Sequence, residues 1–240
     1  MSYSRKTLEV QGSPMETLVF EPQGSGPHPA ILVAQHLPIA HAGLEKDPFT
    51  LDIGDRLAKA GYVAAIPFMF HWWPPEQDIE IKRKEWRDDW TLADLDATWG
   101  LLAGMPNVDS GRLGVIGHCW GGRVSWLAAC HKPDLKACAV LYGGRIKLAM
   151  GPPGTPPIEL AGRIGCPMIG IFGNDDQNPS PADVNDLDAA LDAAGVAHEF
   201  HRYEGAGHGF QDFGDRNRYH PEATADAWDK VLGFFARTLK

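Results

Sequence analysis

The stretch Arg112-Leu113-Gly114-Val115-Ile116-Gly117-His118-Cys119-Trp120-Gly121-Gly122 constrains this chain more than any other. An apolar run of strand length, Arg112 to Gly117, passes directly into Gly-x-Cys-x-Gly-Gly, and helical sequence follows from Gly121 to Cys130. This is the pattern of a nucleophile held on a sharp strand-to-helix turn, with Cys in place of Ser. A residue on such a turn has strained dihedrals. Side chains two positions to either side would clash there, which accounts for Gly117 and Gly121. Cys119 then stands at a helix N-terminus, where the partial positive charge favours an anionic sulfur. A cysteine that is only a small buried apolar group needs no flanking glycines, and that is the reading for Cys130, Cys138 and Cys166.

The rest of the chain alternates in the way this turn requires. Strands are expected at Thr7–Gln11, Thr17–Glu21, Ala30–Ala34, Tyr62–Pro67, Ala137–Tyr142, Pro167–Phe172 and His198–Tyr203. Helices are expected at Asp52–Lys59, Trp86–Ala103, Ala182–Ala194 and from about Glu222 to Leu239. Gly61 and Gly195 stand where helix ends want a left-handed residue. Ala30-Ile31-Leu32-Val33-Ala34 is apolar at every position, as a central parallel strand must be. Repeated strand–helix pairs need crossover connections and give a mostly parallel sheet flanked by helices on both faces. The 240 residues suit a single α/β domain spanning 1–240. Two long connections, Met69–Glu85 and Lys147–Arg163, interrupt the rhythm and read as lid-like or binding loops.

Composition removes several function classes. Lys and Arg number 22 against 31 Asp and Glu, a net charge of −9, which disfavours nucleic acid or an anionic membrane as partner. No apolar run approaches the ~18 residues that cross a bilayer. Four cysteines without a C-x-x-C pair make neither a disulfide scaffold nor a zinc or redox motif. The expectation is a cytoplasmic protein with reduced thiols, a monomer or homodimer.

A nucleophile needs a base and an orienting acid, which follow it in the order acid, histidine. Phe172-Gly173-Asn174-Asp175-Asp176 lies at the carboxyl end of an apolar strand, and Gly205-Ala206-Gly207-His208-Gly209-Phe210 follows the strand ending at Tyr203. Ligands and catalytic groups of open α/β sheets gather at those strand ends. Asp176, in Gly-x-x-Asp spacing from Gly173, is favoured as the acid; Asp175 could serve instead and cap the turn if it does not.

These motifs resemble the dienelactone hydrolase family of the α/β-hydrolase fold: Gly117-His118-Cys119-Trp120-Gly121-Gly122, the Gly-Asn-Asp-Asp turn and Gly-Ala-Gly-His208, in a match running from Ala30 to the last helix. The resemblance implies hydrolysis of enol lactones or carboxylic esters with a small-molecule substrate, no metal and no organic cofactor. Two positions depart from the family pattern. Gln35 is followed by His36 where well-studied members have Glu, and Asp212 stands four residues past His208 where they carry a carboxylate-binding Arg. The resemblance is thus to the family and not to its best-known activity.

The expected chemistry is attack by Cys119, proton handling by His208 and tautomer control by Asp176, with the backbone N–H groups of Leu37 and Trp120 as an oxyanion hole. Candidate substrate contacts are His36, Phe70, Trp72 and Arg145. His36 either tunes the thiol or is a hydrogen-bonded near-core residue. Phe70 and Trp72, with Phe68 and Trp73, either wall a pocket or pack their own connection. Arg145 follows a strand's carboxyl end and suits an anion. The run Lys82, Arg83, Lys84, Arg87 reads as solvated helix surface, with one cation available to a substrate. His36, His41 and His71 lack a metal-ligand spacing. His118, pointing away from the nucleophile, is expected to be buried. Two other functions share these residues: an acyltransferase using the same thioester, and a catalytically inactive binding or thiol redox-sensing protein.

Overall fold

The structure, a computed structural model, describes residues 2–41, 43–152 and 154–240, with all their side chains except those of Ile39 and His41. Among the described residues eight strands form one sheet: β1 (Ser4–Val10), β2 (Ser13–Phe20), β3 (His28–Ala34), β4 (Val63–Pro67), β5 (Val108–His118), β6 (Ala137–Leu141), β7 (Met168–Gly173) and β8 (His198–Tyr203). Their order is β1-β2-β4-β3-β5-β6-β7-β8. The first two strands run antiparallel, β2 meets β4 antiparallel, and every later pairing is parallel. This is the α/β-hydrolase fold.

The helices are α1 (Pro48–Lys59), α2 (Ile79–Glu85), α3 (Asp88–Ala103), α4 (Trp120–His131), α5 (Pro181–Ala194) and α6 (Pro221–Leu239). The central strands are buried on both sides, and strand alternation divides their side chains between two cores. Ala30, Leu32 and Ala34 of β3 face α3, α4 and α5, whereas Ile31 and Val33 face α1 and α6. The helix ends are capped: Asp47 accepts from the Thr50 N–H at the start of α1, which begins four residues before the expected Asp52, Ser180 and Asp183 make a capping box on α5, and Gly195 ends α5 at φ 68° as expected.

One expected helix starts two residues late, and a further helix precedes it where a loop was expected. The helix expected at Trp86–Ala103 forms as α3 from Asp88, and α2 lies in the connection Met69–Glu85, with extended Trp86 and Arg87 between the two helices. At this junction the Trp86 ring is buried against Phe70 at 4.9 Å and Trp120 at 5.1 Å between centroids. The long connection Met69–Glu85 therefore ends in a helix. The other, Lys147–Arg163, ends in the 3-10 helix Pro157–Arg163.

Candidate active site

The turn at Cys119 is built from backbone. Cys119 has φ 57° and ψ −117°, a strained conformation for a residue with a Cβ. Its N–H donates to the Leu141 carbonyl at 3.0 Å, and its own carbonyl accepts from Gly122 N–H at 3.0 Å. A Cβ on Gly117 would lie 2.0 Å from the Gly121 oxygen, and one on Gly121 would lie 2.1 Å from the Ala34 oxygen. No side chain fits at either position.

Two chain-distant groups, His208 and Asp176, converge on this turn. His208 Nε2 lies 3.0 Å from Cys119 Sγ, and His208 Nδ1 lies 2.8 Å from Asp176 Oδ2. The second Asp176 oxygen accepts from Asn178 N–H at 2.8 Å, so this buried carboxylate is satisfied on both sides. Asp175 is exposed and plays a different part: its N–H donates to the Ala206 carbonyl at 3.0 Å and ties the Asp176 loop to the His208 loop. Burial opposes charge on His208. Its bonds to Asp176 and Cys119, with their negative charge, outweigh that and push its pKa from 6.5 up to about 10.

A cavity of about 830 Å³ opens over these groups. Leu37 and Trp120 line it, as do Arg83, Arg145 and Arg218. Leu37 opens a 3-10 helix, Leu37–His41, directly after β3. Trp120 is the first residue of α4, so its N–H has no acceptor within the helix.

The other three candidate contacts lie outside the cavity walls. His36 is buried, with Nε2 2.5 Å from Asp47 Oδ2 and its ring edge-on to Phe49. Asp47 also accepts from the Thr50 hydroxyl at 2.6 Å, so His36 is fastened to the start of α1. Phe70 is wholly buried among Phe68, Trp73 and Trp86. Trp72 stacks on Trp90 and donates to Asp94 Oδ2 at 3.1 Å. The aromatic connection thus packs on itself. His71 is likewise committed, to Ser13 and Asp94, and the His41 side chain lies outside the described residues. Among the described residues no group of three His, Cys, Asp or Glu is placed to hold a metal.

Two residues escaped the sequence reading. Lys82 is not solvated surface: its side chain is fully buried, and its ammonium donates to the Ala40 carbonyl at 2.7 Å and the Pro75 carbonyl at 3.2 Å. Burial lowers its pKa, against the attraction of Glu76. The lysine fastens α2, which carries Arg83, to the segment that carries Leu37. Only its place in a basic run was visible, and that signal points the wrong way. Tyr142 follows β6 at φ 37°, is buried, and sets its ring edge against His208 at 5.4 Å. Burial, then the charges of Cys119, Asp212 and Asp176, raise its pKa well above 10. His118 is buried as expected between Phe49, Tyr142 and Trp228, and burial pushes its pKa down to about 3.

Comparison with known proteins agrees with this picture. The model of the dienelactone hydrolase family matches residues 15–239. A Synechocystis sp. protein described as "Putative carboxymethylenebutenolidase" is 34% identical over 247 residues, covering 98% of this chain and 96% of that protein. The carboxymethylenebutenolidase of Rhodococcus opacus is 29% identical over 204 residues, covering 80% and 77%. A Klebsiella pneumoniae crystal structure, "Putative Dienelactone Hydrolase", superposes with a TM-score of 0.85 at 30% identity, covering 98% of each chain. The elbow, the strand order and these matches agree, and the chain belongs to the dienelactone hydrolase family.

Proposed function

We propose that this protein is a hydrolase of enol lactones or activated carboxylic esters that works through a thioester on Cys119. The observation that carries the reading is the unbroken line Cys119 Sγ–His208–Asp176, at 3.0 and 2.8 Å, on the wall of an 830 Å³ cavity.

In this mechanism the Cys119 sulfur attacks the substrate carbonyl carbon while His208 carries the proton. The carbonyl π electrons move to oxygen, and the N–H groups of Leu37 and Trp120 receive that oxyanion. The oxyanion collapses, the C–O bond to the leaving group breaks, and His208 protonates the leaving oxygen. Neutral His208 then takes a proton from water. The hydroxide attacks the thioester, and the sulfur leaves as the acid forms. Asp176 holds Nδ1 protonated throughout, which leaves Nε2 to face the sulfur.

The sulfur narrows the substrate. Thiolate leaves more readily than alkoxide, so the intermediate formed from a simple alkyl ester tends to collapse backward. Forward collapse needs an enolate, phenolate or similar weak base. This favours enol lactones and aryl esters over triglycerides and peptides.

Rapid quenching after mixing with an aryl ester, followed by intact mass spectrometry, tests the reading. The expected result is an acyl adduct on Cys119 that decays to free acid. Near wild-type turnover by Cys119→Ala would sink it. Diversion of the acyl group to an added alcohol or amine, at the expense of free acid, would make the protein an acyltransferase.

A further inference from the structure

A second recess of about 230 Å³ adjoins the catalytic cavity and shares Arg145 and Asn178 with it. Its walls include Ile146, Leu148, Pro179 and Leu187. The charged groups beside them are already matched. Lys147 Nζ lies 3.0 Å from Asp183 Oδ1 and 2.5 Å from Asp186 Oδ2, and Asp183 Oδ2 accepts from both the Ser180 N–H and its hydroxyl. What the recess offers a ligand is therefore apolar surface. At its junction with the cavity stands the Arg145 guanidinium, which has no hydrogen bond or ion pair among the described residues.

The wall that carries Arg145 is held from below. Arg123 on α4 is wholly buried and pairs with Asp88 through two bonds of 2.6 and 3.0 Å. The remaining bonds of this pair go to the loop beneath the recess. Arg123 donates to the carbonyls of Arg145 at 3.2 Å and Leu148 at 2.7 Å, and Asp88 accepts from Met150 N–H at 3.1 Å. Arg145 itself sits at φ 58°. A strained residue persists only where its surroundings over-determine it, and here they do. The recess is a built compartment rather than a gap beneath a loose loop.

We infer that this recess binds an apolar arm of the ester, and that Arg145 meets an oxygen acceptor at the root of that arm. The inference deepens the proposed ester hydrolysis and rests on it. An apolar cavity of ~150 Å³ holds benzene, so a phenyl-sized group fits. The substrate class is then an activated ester or enol lactone with a butyl- to phenyl-sized substituent near a carboxylate or carbonyl oxygen.

Two series of aryl esters test this, one lengthened on the acyl side from acetyl to 3-phenylpropanoyl, the other on the leaving group. The readout is the ratio of kcat/KM for long against short esters within each variant, so a change in folded fraction cancels. Wild type should favour the longer member of one series by about tenfold or more, the scale expected when a hydrophobic pocket is filled. Leu187→Phe, which fills the recess, and Leu148→Glu, a surface change at its rim, should each cut that ratio at least about fivefold. Acyl adducts that form with ratios unchanged in both variants would overturn the recess and leave ester hydrolysis standing. No adduct with any ester would overturn the hydrolysis and the recess with it.

Discussion

His208 Nε2 lies 3.0 Å from Cys119 Sγ although 89 residues separate them in the chain. Both residues lie beyond the carboxyl ends of strands that run the same way, Cys119 after β5 and His208 after β8. The contact joins a strained turn on one side to a glycine-rich loop on the other, and much of what can be tested follows from it.

Replacing Cys119 should abolish chemistry without unfolding the protein. Cys119→Ala is expected to lower kcat/KM for an aryl ester by about 10³-fold or more, the scale seen when a nucleophile is removed. Thermal unfolding of the variant should stay within a few degrees of wild type. A large loss of stability would mean that the sulfur is chiefly a packing group.

The two neighbouring aspartates should differ sharply. Asp176→Asn retains the geometry but lets the imidazole present the wrong tautomer, with an expected loss of about 10²- to 10⁴-fold in kcat. Asp175→Asn removes an exposed carboxylate whose ordered contact is made by its backbone, so the loss should be under about threefold, as for a surface change. Steady-state kinetics on the pair decides between them, and equal losses would reopen the choice of acid.

Stability should depend on pH through His208. Its pKa is raised in the folded state, from 6.5 to about 10. The stabilisation from its charged form is thus complete below about pH 6.5 and disappears as pH rises through about 10. Urea unfolding at about pH 6 and about pH 10.5 should show a gap between wild type and His208→Gln that narrows at the higher pH. A gap that widens there would contradict the assignment.

Lys82→Met keeps the stem and removes both hydrogen bonds that the ammonium makes to Ala40 and Pro75. A cost of about 1–3 kcal/mol in unfolding free energy is expected. Equilibrium denaturation measures it, and an unchanged midpoint would return Lys82 to the solvated surface.

The parts of the molecule that could be read from the sequence are those governed by local rules. The apolar run of β3, the glycines around Cys119 and the Gly-His loop each follow from a local rule, and Asp176 and His208 fall beyond the strand ends where they were expected. What escaped was decided by contacts between distant segments. The helix expected from Trp86 begins at Asp88, while the Trp86 ring packs against Phe70 and Trp120. Phe70 and Trp72 sit at the right strand end for a pocket but find partners in Trp73, Trp86, Trp90 and Asp94 first. His36 is captured by Asp47, eleven residues on. Lys82 shows the limit most plainly, because a buried ammonium and a solvated one have the same sequence signature.

The interlocking of Gly117 with Gly121, and of Gly121 with Ala34, has a wider consequence. Carbonyl oxygens fill the space that side chains would need, so the sheet and helix grip each other through their main chains. The space around the turn at Cys119 is therefore set chiefly by main chain rather than by neighbouring side chains. The surrounding loops can change while the turn stays still, because its shape owes nothing to their side chains.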